Sequence, residues 1–245
     1  MDAGESVPEV RFRSDVTVEL VKASASDADV VFAARVSTAG EKSLEAVHAD
    51  PERSRGLIGF LMRDRHGSPF EHNSMTFFVS APIFVFREFH RHRVGWAYNE
   101  ESGRYRELEP VFYVPGPERK LVQEGKPGQY RFVDGTPEQH KIVTEATTET
   151  YRRAYAAYQE MLAAGVAREV ARTVLPVGLY SSMYATCNAR SLMHFLSLRT
   201  KREDARFPSF PQREIEMVAE RMEAEWARLM PLTHDAFERH GRVAP

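Results

Sequence analysis

The chain has 245 residues, 42% of them hydrophobic and 28% charged, with a formal net charge of -2. That length can bury a full core as one domain, or at most two small ones, and the balance of charges gives no reason to expect a nucleic-acid surface. One cysteine, Cys187, excludes an intrachain disulfide and any all-cysteine metal site. It fits a reducing compartment, so a cytoplasmic protein is expected. The opening "MDAGESVPEV" is acidic and lacks a hydrophobic run, so no secretory signal is expected. No apolar run approaches membrane-spanning length.

In chain order, residues 10–22 alternate enough to predict a strand. "SDADVVFAARVS" predicts a helix capped by Ser26 or Asp27, with Val30 and Ala34 on one face. "SLEAVHADPERSRGLIGFLMRDRHG" predicts a polar-entry helix and then a second one, with Leu57, Phe60 and Leu61 inward and Gly67 at its end. "NSMTFFVS" predicts a strand. Ser80 and Pro82 then suit a helix N-terminus, with the helix running to about His90 and presenting "RHR" at its C-terminal end. "VGWAYNEESG" reads as a loop. So does most of the Pro- and Gly-punctuated stretch 109–137, within which 116–136 is the candidate for ordering on ligand binding.

A long helix is predicted from Pro137 to about Ala164, its apolar face carrying Ile142, Ala146, Tyr151, Tyr155 and Tyr158. "GVAREVARTVLP" predicts a shorter helix stopped by Pro176. "NARSLMHFLSLR" and "QREIEMVAERMEAEWARLMP" predict two more. Strands and helices do not alternate regularly, which points to a single α+β domain spanning 1–245, with its core over about 10–230.

Arg91, His92 and Arg93 are consecutive, so they cannot share one helix face and must splay. Arginine's planar fork suits phosphate, carboxylate or a carbonyl-rich ring. A few residues on, Asn99, Glu100, Ser102 and Arg104 supply an amide, a carboxylate, a hydroxyl and a guanidinium. Against a solvated helix end, this second cluster favours an anionic, nucleotide-like ligand. On "NARSLMHFLSLR", Asn188 and Arg199 lie about three turns apart on one face with Leu192 and Phe195 between them. Arg190 and His194 form an i,i+4 pair beside that face. Arg168 and Arg172 make another such pair. His66, Glu71 and His72 hint at metal ligation, but no compact ligand set accompanies them and no metal is expected. Asn73 or Ser74 suits a structural polar knot equally well. Walker, GxGxxG and GxSxG patterns are absent.

"RHRVGWAYNEESGRY" resembles the signature of the flavin-dependent thymidylate synthases: RHR, a spacer, then N-E-x-S-x-R-Y. "ARVS" (34–37), "SPFEH" (68–72), "SAPIFVFREF" (80–89) and "ARTVLP…NARSLMHFLSLR" (171–199) match further blocks in order. The resemblance implies the family's own α+β fold, a sheet flanked by helices, and a homotetramer with FAD sites at subunit contacts. It also implies reductive methylation of dUMP to dTMP, with 5,10-methylenetetrahydrofolate as one-carbon donor and NADPH supplying hydride through FAD. No nucleic acid, membrane or metal partner is expected.

Carried over residue by residue, the FAD contacts implied are Ser74, Arg91, His92, Arg93, Glu100, Asn188, Ala189, Arg190 and His194, with His72 as the histidine beside the flavin. The dUMP contacts implied are Glu88, Arg91, Glu100, Glu101, Ser102, Gly103, Arg104, Arg172 and Arg199. Arg199 and His72 are the implied catalytic residues, Arg199 polarising the uracil and favouring ionisation at N3. Glu88 stands where glutamine is common in the family, and Ala97 where serine is. Other thymidylate synthases attack uracil with a cysteine. This family needs none, so Cys187 is expected to be a structural thiol. Two rival readings remain, a nucleotide binder without catalysis and a flavoprotein with another reductive task.

Overall fold

The structure is a computed structural model that describes residues 8–43, 51–126 and 130–245. Within it the strand expected over 10–22 breaks into β1 (Arg11–Arg13) and β2 (Thr17–Ser24). The halves join different sheets. β1 pairs in parallel with β5 (Val111–Tyr113), with Arg11 opposite Val111, whereas β2 is the outer strand of a four-stranded sheet. The break falls where two compact units of the chain meet in sequence. One unit comprises Met1–Asp15, Ser80–Arg87 and Glu100–Ser182, and the other Val16–Val79, Glu88–Asn99 and Met183–Pro245.

The four-stranded sheet has the order β2, β3 (Ser74–Pro82), β8 (Tyr180–Cys187), β4 (Trp96–Glu100). On β3, Met75, Phe77, Val79 and Ala81 are all fully buried. That period of two carries the strand through to Pro82, so Ser80 is not the helix cap expected. On the other face Thr76 and Thr186 share a hydroxyl hydrogen bond of 2.9 Å. β4 replaces the expected loop. Its Trp96 and Tyr98 rings stack at 5.7 Å, and the edge of Phe89 packs on both.

In the second unit, α1 (Asp27–Ala39) begins at a Ser26–Asp29 capping box, as the sequence indicated. Asp27 also caps a helix the sequence did not announce, α8 (Pro231–Arg239), by accepting from the Leu232 and Thr233 amides at 2.9 Å each. Residues 44–50, part of the expected polar-entry helix, lie outside the described residues; 51–63 form one helix, α2 (Pro51–Arg63). Its inward residues are Ile58, Leu61 and Met62, while Phe60 faces out and stacks on His66 at 5.5 Å. Arg65, at φ 62°, ends the helix in place of Gly67, as the His66 amide closes on the Leu61 carbonyl at 2.9 Å. α6 (Ala189–Arg199) and α7 (Arg213–Leu229) form as expected, burying Leu192 and Phe195, and Ile215, Met222 and Trp226 respectively.

In the first unit, α4 (Pro137–Ala163) starts at a Thr136–Gln139 capping box. Its Tyr155 and Tyr158 pack with Leu108, Phe112, Ala171 and Leu179. Ile142 and Ala146, expected on the apolar face, are exposed, because this packing covers only the C-terminal half of the helix. The stretch read as loop contains β5 and a hairpin of β6 (Val122–Glu124) and β7 (Arg131–Val133). α5 (Arg168–Ala171) runs into a 3-10 turn over Arg172–Val174 before Pro176. α3 (Ile83–Phe89) has the Ile83 and Phe84 amides satisfied by the Leu179 and Val177 carbonyls. No described helix is long and apolar enough to cross a membrane.

Candidate active site

The site residues fall into two groups, one in each compact unit. In the second unit the start of α6 is the organiser. Asn188 caps it by accepting from the Ser191 amide at 2.9 Å, and Asn73 accepts from the Ala189 amide at 2.8 Å. Asn73 also donates to the Phe70 carbonyl at 3.0 Å, which fixes the turn carrying His72 and Ser74 against the helix. The polar knot considered for this segment is therefore Asn73. Ala189 is fully buried and takes part through its backbone.

After α3 the chain turns sharply, and Arg91, His92 and Arg93 splay as their adjacency required. Arg91 and Arg93 are exposed, and His92 is half-buried with its ring edge-on to Phe195 at 4.9 Å. Gly95, at φ 69°, then brings the segment onto α6. A Cβ there would lie 2.1 Å from the Ser191 hydroxyl, which donates to the Val94 carbonyl at 2.9 Å. The result is a cavity of about 400 Å³ with His92, Arg93, Asn188, Arg190 and His194 in its wall. These are five of the residues the resemblance assigned to the flavin. Guanidinium, amide and imidazole donors around an indole, Trp96, form a donor set suited to the phosphates and ring carbonyls of such a cofactor. Arg190 is held there by an ion pair with Glu71 and by the Pro245 carbonyl at 2.6 Å, and it lies against Gly67, where a Cβ would clash with its guanidinium. His72, Ser74 and Arg91 are outside this wall.

At the far end of α6, Arg199 donates through Nε to His92 Nε2 at 3.1 Å and forms an ion pair with Glu88. An imidazole nitrogen that accepts from an arginine carries a lone pair, so His92 is neutral with its proton on Nδ1. Burial, together with Arg199, Arg91 and His194, pushes its pKa down to about 4. Burial likewise pushes Glu88 up against the pull of Arg199, and pushes Arg199 down against the pull of Glu88.

In the first unit, Glu100 accepts from the Ser181 hydroxyl at 2.9 Å, and the Glu101 amide donates to the Ser182 carbonyl at 2.8 Å. The Ser102 hydroxyl accepts from the Arg104 amide at 3.3 Å. Gly103 is buried, and a Cβ on it would meet Leu108 at 2.7 Å and Arg172 at 3.3 Å. The turn thus places Gly103, between Ser102 and Arg104, against Arg172. The Arg104 guanidinium is engaged with Glu169 at 2.8 Å.

Asn73 was anticipated as a structural knot and Glu71 only as a metal candidate; sequence reasoning missed Gly95, Glu169 and Ser181 as holders. Only Gly95, directly after "RHRV", gave a local signal. Of the residues weighed for metal, His66 stacks on Phe60 and Glu71 is paired with Arg190. Among the described residues, Glu223, His234 and Glu238 bring three ligating atoms within 4.8 Å, but buried Arg242 already pairs with both carboxylates. Cys187 is buried, and burial pushes its thiol well above the usual range.

Known proteins resemble this chain along most of its length. Residues 19–232 match the family described as thymidylate synthase complementing protein. A flavin-dependent thymidylate synthase of Streptomyces coelicolor is 76% identical over 97% of each chain. One from Tropheryma whipplei is 60% identical over 96% of this chain and 97% of its own. Among solved structures, the UMP/dUMP methylase PolB from Streptomyces cacaoi bound with 5-Br dUMP superposes with a TM-score of 0.92 at 60% identity, covering 96% of this chain and 100% of that one. The chain belongs to the flavin-dependent thymidylate synthase family.

Proposed function

We propose that this chain converts dUMP to dTMP. The carbon comes from 5,10-methylenetetrahydrofolate, which leaves as tetrahydrofolate, and NADPH supplies the reducing equivalents. One methylene and one hydrogen replace the single hydrogen at C5 of the uracil, and the two folate nitrogens that release the methylene gain one hydrogen each; the hydride of NADPH, one solvent proton and the proton lost from C5 supply these three. FAD, when bound, supplies the two-electron redox chemistry that links the nicotinamide to the methyl group. The observation that carries this reading is the convergence of His92, Arg93, Asn188, Arg190 and His194 on one cavity, with Arg199 held at the other end of the same helix.

In this reading Arg93, Asn188, Arg190 and His194 bind the flavin, with Ser74, Arg91 and the Ala189 backbone at its margin and His72 beside it. Arg199, fixed by Glu88 and by neutral His92, donates to the uracil and stabilises negative charge developing at N3. Ser102, Arg104 and Arg172 bind the sugar phosphate, which requires Arg104 to exchange Glu169 for ligand. Glu100, Glu101 and Gly103 fix the turn that presents them. The whole chain serves as one catalytic domain, since its two units each consist of three alternating segments. It works in the cytoplasm as a homotetramer, and the exposed Ile142 on α4 and Val21 on β2 are surfaces a partner subunit would cover.

The test is anaerobic incubation of flavin-loaded protein with NADPH, methylenetetrahydrofolate and dUMP, read by mass spectrometry. dTMP that disappears when the folate or the flavin is omitted is expected. Folded, flavin-loaded protein that makes none overturns the reading. A second arm replaces dUMP by UMP, because a relative 59% identical is described as a UMP/dUMP methylase.

A further inference from the structure

Beyond the flavin cavity, α6 borders a second one of about 500 Å³, also within the second unit. Its wall is unlike the first. Phe207 and Phe210, 64% and 48% exposed, face it from the segment after α6, and exposed Leu198 adds to the apolar surface. Arg65, His194 and Arg199 supply the polar side, and no carboxylate among the described residues lines it.

The aromatic segment is built rigidly. Pro208 and Pro211 restrict its backbone, and the Ser209 hydroxyl donates to the Thr200 carbonyl at 2.6 Å. The Arg206 amide is tied to the Gly241 carbonyl at 3.0 Å, an approach that Gly241, at φ 74°, allows because a Cβ would lie 3.0 Å from Arg206. Thr200 is fixed in turn by buried Arg242, at 2.8 Å. Two phenyl rings held exposed on a pinned backbone are preorganised for stacking, so little ordering cost is left for a ligand to meet.

Charge selects the ligand further. Glu223 and Glu238 lie behind Arg242 and Glu88 lies behind Arg199, whereas Arg65 reaches the wall with a backbone carbonyl, that of Ala244 at 3.2 Å, as its partner. The wall therefore favours an anion. A volume within the range of about 300–1,000 Å³ typical of small-molecule sites accommodates a fused ring with a further aromatic or sugar group.

We infer that this cavity binds an anionic aromatic co-substrate, its planar ring against Phe207 and Phe210 and its carboxylate or phosphate towards Arg65. The inference rests on the function proposed above, which requires two molecules of this chemistry, a folate with a glutamate tail and a nicotinamide dinucleotide. His194 borders both cavities, so a ring held here is adjacent to the flavin cavity without occupying it.

The test uses flavin-loaded Phe207→Ala/Phe210→Ala and, separately, Arg65→Gln. KM values are measured in turn for methylenetetrahydrofolate, NADPH and dUMP, with flavin content and sedimentation velocity recorded. A rise of about ten-fold or more in the KM of one co-substrate is expected in the double variant, with the KM for dUMP and the flavin content unchanged. Arg65→Gln should raise the same KM and weaken its dependence on ionic strength. A rise confined to the folate assigns the cavity to the pterin and its glutamate; one confined to NADPH assigns it to the dinucleotide. Both KM values within about two-fold of wild type overturn the inference. So does an equal change in all three accompanied by subunit dissociation, which would make the phenylalanines an interface. If the functional reading itself is wrong, wild-type protein makes no dTMP, a failure distinct from either.

Discussion

Arg199→Ala separates folding from function at the centre of the site. In the folded protein the Arg199 and Glu88 side chains are only 16% and 22% exposed, and Arg199 also donates to His92. Removing one partner of a fully buried pair costs about 3–5 kcal/mol, and a hydrogen bond to a charged group is worth about 1.5–3 kcal/mol. With this partial exposure, and with Glu88 already disposed by burial to take up a proton, the stability loss should be about 2 kcal/mol. For a chain of this size that lowers the melting temperature by about 4–8 °C. The loss of turnover should be larger, about 10²–10³-fold, as for removal of a donor that stabilises developing charge. The double variant Arg199→Ala/Glu88→Ala should recover part of the stability, with a coupling energy of about 1–2 kcal/mol. Urea unfolding, flavin absorbance and dTMP formation read the three quantities. Turnover within about ten-fold of wild type in folded, flavin-loaded protein would refute the catalytic role, and coupling below about 0.5 kcal/mol would refute the ion pair.

Acid sensitivity tests the neutral state of His92. Its folded pKa is depressed to about 4 from an ordinary 6.5, so its contribution is complete above the ordinary value and is lost as pH falls through that window. Allowing for its partial exposure, wild type should lose about 1 kcal/mol more than His92→Asn between about pH 7.5 and about pH 5 by urea unfolding, and equal losses would disprove the assignment. Gly95→Ala should cost about 2 kcal/mol or more and release flavin, because both the positive φ and the Ser191 contact oppose a side chain; a flavin content matching wild type would contradict the cavity geometry. Cys187→Ala should retain turnover while losing about 1 kcal/mol of stability. Abolished turnover in a folded variant would make the thiol catalytic after all.

The residues expected to meet ligand were readable because their chemistry is local. Arginines, an imidazole and a hydroxyl at fixed spacing are visible in "RHR" and "ESGR", and the face of α6 follows from helical period alone. What holds them was not readable. Glu71 reaches Arg190 across 119 positions and Ser181 reaches Glu100 across 81, so no window of sequence contains both partners. β4 was hidden for a related reason. Its polar Asn99 and Glu100 mask the inward Trp96 and Tyr98, and their packing partner Phe89 lies on α3. On α4 the pattern itself misled, since Ile142 continues the apolar face beyond the part of the helix that the unit covers.

The departure at Glu88 has a consequence in the structure. With a glutamine there, as is common in the family, Arg199 would carry an unbalanced charge beside Arg91. With glutamate, the ion pair leaves the local cation partly neutralised until a ligand arrives. If Arg199 meets the uracil as proposed, the ring must compete with Glu88 for it, which would favour a ring ionised at N3 over a neutral one. His92 strengthens this bias. Held neutral, it accepts from Arg199 Nε and fixes the plane of the guanidinium without adding a second positive charge. The three adjacent basic residues of "RHR" are thus not three equal cations: burial makes the middle one an acceptor, and that difference sets the orientation of the arginine expected to do the chemistry.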